Sequence, residues 1–246
     1  ILDDIKVPYL TFGISANADL FARDIEISEN GVNFKIQLRG VEEMDVHMQM
    51  TGMFNVYNAL AAASLAMIVG VDKEHIREGL ANVHAVPGRI EMLDTGTPYK
   101  VILVYSHSPD ALENILSTVR MFTKKRVIVL FGCGGDRDHG KRPLMGEIGG
   151  RLADYSILTS DNPRTEDPEA ILDAIEEGMK LTSGKYTIIE NRREAIRYAL
   201  KMGREGDVII LAGKGHETYQ DVMGVKRPFD EKQVVNELLA ELRDGQ

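Results

Sequence analysis

Four short stretches concentrate the residue types that bind and transform small polar molecules: "SHSPD" (106–110), "GCGGDRDHGKRP" (132–143), "TSDNPRTEDP" (159–168) and "GKGHETYQ" (213–220). In the second, Gly135, four residues, Gly140 and Lys141 have the spacing of a phosphate-cradling loop, but Arg142 stands where that motif needs Ser or Thr. No hydroxyl is then offered to Mg²⁺, and Asp136 and Asp138 would put carboxylates where phosphates should sit. G-x-G-x-x-G is not complete either, because Arg137 takes its last position. What remains is a glycine turn that projects Arg137 and Lys141. An exposed guanidinium in such a turn suits a bidentate grip on a carboxylate. The alternative is a surface ion pair of Arg137 with Asp136 or Asp138.

In "DNPR", Pro163 fixes its own φ and pushes Asn162 toward an extended conformation. Asp161, Asn162 and Arg164 then offer an acid, an amide and a guanidinium in a stiff array, suited to a carbon bearing both ammonium and carboxylate. The competing reading is a strand-to-helix turn closed by local Asx capping, with Arg164 solvated. In "GKGHE" two glycines let backbone approach a ligand, and Glu217 can pair an ammonium. His107 and His216 are either proton carriers or structural. No Ser/His/Asp set or close carboxylate pair suggests hydrolysis, and no spacing nominates a metal site, so catalytic residues stay unassigned and no metal ligand is named.

The elements that must position these stretches alternate regularly. Strands are expected at 101–105, 127–131, 155–158, 187–189 and 208–212, several of them continuous branched apolar runs of the kind covered on both faces. Between them lie helix starts: Ser108 with Pro109, Asp167 with Pro168, Asn191 with Glu194, and Asp230 with Gln233. The fold class is α/β, a doubly wound, mostly parallel, Rossmann-like domain, in which ligands bind outside the carboxyl ends of the strands. All four polar stretches fall at such ends.

The first 88 residues differ. "DIEISENGVNFKIQL" reads as a hairpin around Asn30-Gly31. An Ala-rich helix at about 55–69 and a short one at 73–80 follow, then a break at Pro87-Gly88. This part shows no complete core and reads as the tail of an α/β domain whose beginning is absent. Two domains follow, 1–90 and 91–246.

Composition narrows the class. A net charge of −9 over 246 residues argues against broad nucleic-acid binding. One cysteine, Cys133, excludes an internal disulfide and a Cys-based zinc site, and suits a reducing cytosol. The start "ILDDIKVPYL" does not read as a signal peptide. The longest uncharged run, 51–71, contains Asn55 and Asn58 and reads as a buried soluble helix. A cytoplasmic monomer acting on small molecules is expected, with no nucleic-acid or membrane partner.

Taken together, "FNVYNALAA", "VPGRIEML", "SHSPDALE", "VLFGCGGDRDHGKRPLMGEI", "TSDNPRTEDP" and "AGKGHETYQ" resemble the Mur ligases, in particular the MurE type, in the right order over nearly the whole chain. The resemblance implies an ATP- and Mg²⁺-dependent amide ligase of peptidoglycan synthesis. Such a ligase joins meso-diaminopimelate to UDP-MurNAc-L-Ala-D-Glu through an acyl phosphate. It implies that Arg137 takes a diaminopimelate carboxylate, that Asp161, Asn162, Pro163 and Arg164 form the recognition motif, and that Gly213 and Glu217 are further contacts. Asn55, Asn58, Arg89 and His107 fall in motifs of the nucleotide side. Two departures stand out: Val104-Tyr105-Ser106-His107 replaces the usual Asp-Tyr-Ala-His, and the family's P-loop, uridine-nucleotide domain and carbamylated lysine are missing. The chain alone is therefore expected not to ligate, with Pro87-Gly88 acting as a hinge that brings Arg89 and His107 to the nucleotide. Selectivity is expected in Arg137, Asn162 and Arg164, so that losing Arg164 weakens diaminopimelate and spares lysine. The rivals are a lysine-adding enzyme of the same type and a non-enzymatic Rossmann-like nucleotide-binding module; folylpolyglutamate synthetases share the architecture.

Overall fold

The computed structural model describes residues 6–39, 43–83 and 90–244, and the chain divides into two compact units, Ile1–Ala85 and Val86–Gln246. In the first, β1 (Phe12–Gly13) runs parallel to β2 (Leu20–Ser28), which pairs antiparallel with β3 (Gly31–Leu38), and β3 with β4 (Glu43–Met48). The expected hairpin is β2–β3, closed by the two residues between Ser28 and Gly31. Gly31 sits at φ +139°, and a β-carbon there would fall on the Met48 carbonyl oxygen. Only glycine fits that close approach.

Period-two alternation sends Leu20, Ala22, Val32, Phe34, Ile36, Met44, Val46 and Met48 into one cluster. Val56, Leu60 and Ala63 of α1 (Met53–Ile68) and Ile76 and Leu80 of α2 (Lys73–Ala81) complete it. These residues form one continuous cluster that the separate segments do not announce. Each strand offers only two or three apolar side chains, and only their pairing adds these into a continuous face.

The second unit is built on six strands: β5 (Glu91–Leu93), β6 (Lys100–Val104), β7 (Val127–Phe131), β8 (Tyr155–Leu158), β9 (Tyr186–Ile188) and β10 (Val208–Ala212). Their order is β5-β6-β10-β7-β8-β9, parallel throughout except for the short edge strand β5. The five expected strands are found, three at the expected bounds and two displaced by one residue.

Alternate residues of these strands feed two cores. Ile102, Val129, Phe131 and Ile210 meet α3 (Pro109–Phe122), α4 (Lys141–Leu152) and α5 (Pro168–Met179). Val101, Ile128, Leu130, Ile209 and Leu211 meet α6 (Arg192–Met202) and α7 (Glu231–Asp244). The nominated caps act as such: Ser108, Asp167, Asn191 and Asp230 each accept a first-turn amide.

Two features run against local sequence signals or lack them. Glycines 146, 149 and 150 argue against a helix at 141–152 on propensity, yet α4 forms there. A β-carbon on Gly146 would strike the Ile175 carbonyl, and one on Gly178 the Pro143 carbonyl, so these glycines let α4 and α5 touch backbone to backbone. The other is an antiparallel hairpin, β11 (Tyr219–Val222) with β12 (Val225–Pro228). No helix is long and apolar enough to cross a membrane among the described residues.

Candidate functional site

The carboxyl ends of the four adjacent strands β6, β10, β7 and β8 share one sheet edge, and a cleft of about 310 Å³ opens there. Arg137, Asp161, Asn162, Arg164, Gly213 and Glu217 all line it, as does His107. Pro163 is buried beside them. The structure thus gathers residues that lie up to 110 positions apart, from His107 to Glu217. Tyr105 and Lys141 complete the wall, with the Tyr105 ring 4.6 Å from that of His107 and 5.2 Å from that of His216.

The glycine loop is not arranged for phosphate. Asp138 Oδ1 accepts the Gly140 amide at 2.9 Å, occupying an N–H at the start of α4. Arg142, at the position of the missing hydroxyl, is buried and donates to both oxygens of Glu166 at 2.9 Å. Glu166 also accepts the Asp136 amide, and Asp136 accepts the Thr165 hydroxyl at 2.8 Å. Burial pushes the Glu166 carboxyl up, but the Asp136 amide and the Arg142 guanidinium outweigh it and hold it below the usual carboxylate range. The Thr165 hydroxyl and amide lower Asp136 in the same way. These acids knit the loop after β7 to the loop after β8. Neither Asp136 nor Asp138 pairs with Arg137, which is exposed, lines the cleft and makes no ion pair among the described residues. Lys141 Nζ donates to the His107 carbonyl at 2.8 Å.

Asn162 makes no local Asx turn. Its Oδ1 accepts from Lys214 Nζ at 3.0 Å and from the Asp221 amide at 3.0 Å, while Nδ2 donates to Glu217 Oε2 at 2.9 Å. Lys214 Nζ reaches the same Glu217 oxygen at 3.2 Å and is itself fully buried. Donors and acceptors match only in this orientation of the amide. Glu217 is thus pinned by one oxygen. Asp161 has its carboxylate against Gly213, where a β-carbon would lie 2.5 Å from Oδ2, and Gly213 adopts φ +126°. Glycine is needed there on both counts.

Arg164 is not merely solvated. Its Nη1 donates to the Gly135 carbonyl at 2.6 Å. Its amide donates to the Asp221 carbonyl at 3.0 Å, and its own carbonyl accepts from Met223 at 2.6 Å. The residue is held at φ +50°. The hairpin β11–β12 therefore clamps the loop after β8 through main-chain bonds. Sequence reasoning misses Lys214, Asp221, this hairpin and Gln220, whose Nε2 donates to the Asp161 carbonyl at 2.8 Å; Lys214 alone carries a signal, being a lysine between two glycines close to Glu217. Arg164 thus braces Gly135 as well as lining the cleft, whereas Arg137 lines it without an ion pair among the described residues.

Of the remaining nominated residues, Asn55 and Asn58 lie on α1 in the first unit. Asn55 Nδ2 donates to the Thr51 carbonyl at 2.8 Å, and Asn58 Nδ2 to Asn55 Oδ1 at 3.2 Å. Pro87, Gly88 and Arg89 lie outside the described residues.

Comparison with known proteins bears on the family and the fold. Residues 88–215 match the family described as Mur ligase, glutamate ligase domain, and residues 2–66 the Mur ligase middle domain. A diaminopimelate ligase of UDP-N-acetylmuramoyl-L-alanyl-D-glutamate from Caldanaerobacter subterraneus subsp. tengcongensis is 47% identical over 98% of this chain and 50% of its own length. A solved structure bearing the same enzyme name is 34% identical, with a TM-score of 0.66 over 95% of this chain and 48% of its own. UDP-N-acetylmuramate-alanine ligase from Thermotoga maritima, 19% identical, shares the fold with a TM-score of 0.70 over 96% of this chain and 48% of its own. The chain spans about half the length of the curated relatives it matches. With a doubly wound domain, four loops converging on one cleft, and a family match over just over half of its residues, the chain belongs to the Mur ligase family.

Proposed function

We propose that the protein is an ATP-dependent amide ligase of peptidoglycan synthesis that adds meso-diaminopimelate to UDP-MurNAc-L-Ala-D-Glu in the cytoplasm. On this reading the cleft of the second unit holds the incoming amino acid. One observation carries the choice of ligand: the Arg137 guanidinium, without an ion pair among the described residues, faces the same small cleft as Asp161 and the pinned carboxylate of Glu217. A diamino dicarboxylate presents both charges at each end, and L-lysine lacks the second carboxylate. The names carried by the 47%- and 34%-identical relatives support the same substrate.

The residues divide the work by charge. Glu217 and Asp161 receive ammonium groups, and Arg137 and the free edge of Arg164 receive a carboxylate. Lys214 and Asn162 hold Glu217 in place. The reading assigns the two units to the family's middle and C-terminal domains, and Asn55, Asn58, Arg89 and His107 to the nucleotide side. ATP supplies the energy that activates the carboxyl group to be joined. Among the described residues there is no group of three or more His, Cys, Asp or Glu that could hold a metal ion; Mg²⁺ ordinarily needs only one or two carboxylates beside water and phosphate oxygens.

Calorimetry with meso-diaminopimelate and L-lysine tests the reading. A charge-assisted bidentate contact contributes roughly 1.5–3 kcal/mol, or about ten- to a hundredfold in affinity. Arg137→Ala is expected to weaken diaminopimelate by that factor, leave lysine unchanged, and leave stability within about 0.5 kcal/mol, as at exposed sites without partners. Equal loss of both ligands would refute the assignment of Arg137.

A further inference from the structure

Directly behind the cleft floor lies a charged pair that the proposed binding does not use. Arg192, the first residue of α6, and Glu231, the first of α7, both have fully buried side chains, with Arg192 Nε donating to Glu231 Oε1 at 2.8 Å. The other guanidinium nitrogens donate to the carbonyls of Ser160, at 3.3 Å, and Ala212, at 3.0 Å. Those two residues immediately precede Asp161 and Gly213. A β-carbon on Gly213 would lie 2.5 Å from Asp161 Oδ2 and 3.7 Å from Arg192 Nη2, so acid, glycine and guanidinium are stacked in adjoining layers.

A stability role alone explains this poorly. Desolvating two charges cancels much of their attraction, and an apolar pair of similar volume often serves as well. Glu231 adds to the cost, since its Oε2 is buried without a hydrogen-bond partner among the described residues. What an apolar pair cannot do is hold two carbonyls at a set separation. A planar guanidinium with donors in fixed directions can.

We propose that Arg192, oriented by Glu231, is a positioning residue for the amino-acid cleft: by tying the Ser160 and Ala212 carbonyls it sets the spacing between Asp161 and the Gly213–Glu217 loop. The ligand in this inference rests on the proposed function; the geometry does not.

Removing one partner would strand a buried charge, so the pair is replaced together, Arg192→Met with Glu231→Leu, in the whole chain. Three measurements apply: urea unfolding, amide hydrogen exchange of the ligand-free protein over 159–165 and 212–217, and calorimetry with meso-diaminopimelate. The unfolding midpoint is expected to shift little, because relief of two buried charges is offset by the donors that the Ser160 and Ala212 carbonyls lose. Exchange in both segments should be at least tenfold faster, and affinity at least tenfold weaker. A merely structural pair would move the midpoint and leave exchange and affinity alone, and that result overturns the proposal. Arg192→Lys keeps a charge opposite Glu231 but reaches fewer acceptors. It is expected to loosen the same two segments, and decides the matter if the double variant does not fold; wild-type exchange in Arg192→Lys would then overturn the proposal. If the wild-type chain fails to bind diaminopimelate, the proposed substrate falls, while the exchange comparison still decides the positioning role.

Discussion

Lys214 gives the most direct test of how the cleft is held. Its ammonium is fully buried and donates to Asn162 Oδ1 at 3.0 Å and Glu217 Oε2 at 3.2 Å. Lys214→Met preserves most of the stem volume and removes both bonds. Hydrogen bonds involving a charged group contribute roughly 1.5–3 kcal/mol each. The Glu217 side chain is 19% exposed and keeps the Asn162 amide, so solvent and that donor recover part of the loss. We expect a destabilisation of about 2–4 kcal/mol, which for a protein of this size is a fall of roughly 5–15 °C in Tm. Adding Glu217→Gln removes the stranded charge but leaves an acceptor for Asn162, and should restore at least half of the loss. Urea unfolding of the two single variants and the double variant closes the cycle. If the two changes simply add, Lys214 and Glu217 are not coupled, and the account of a pinned carboxylate is wrong.

Gly178→Ala sets helix propensity against packing: propensity alone predicts a gain of about 1 kcal/mol, but the new methyl would meet the Pro143 carbonyl of α4. Overpacking outweighs propensity here, so a net loss of at least about 2 kcal/mol in denaturant unfolding is expected; a net gain would show that α4 and α5 separate freely. Cys133 is buried and its thiol is pushed up to about 12, chiefly by burial. A thiol-specific reagent at pH 8 should therefore label it only after denaturation, and fast labelling of the native chain would contradict its placement. Asp136 and Glu166 both have lowered folded-state values. Their contribution is complete above the ordinary carboxylate range near pH 4 and is lost as the pH falls through the lowered values. Stability of the second unit should decline in that acidic window, and less steeply in Asp136→Asn/Glu166→Gln; identical acid profiles would contradict the linkage.

What is legible in the sequence, and what is not, divides along the range of the interactions. Ser108, Asp167, Asn191 and Asp230 are legible as caps because each meets an amide two or three residues away. The strands at 127–131 and 208–212 are legible because burial on both faces demands unbroken apolar runs. From these, the convergence of four polar loops on one edge follows, since parallel strands put all their carboxyl ends on the same side. Partnership across that edge does not follow. Asn162 and Lys214 are 52 residues apart, Arg192 and Glu231 are 39 apart, and nothing local distinguishes a lysine that braces a carboxylate from one that is solvated. The hairpin β11–β12 is hidden for a related reason: β12 is exposed at all four positions, so it has no hydrophobic period to betray it. Its role lies in backbone bonds to Arg164, which leave no trace in residue type. The same limit explains why residue type alone leaves Arg164 as either a ligand contact or a solvated cation. A guanidinium in a cleft can face substrate, neighbouring carbonyl, or both, and only its 2.6 Å bond to Gly135 shows that one edge is already taken. On the proposed function, selectivity for a second carboxylate therefore falls more heavily on Arg137, which makes no ion pair among the described residues.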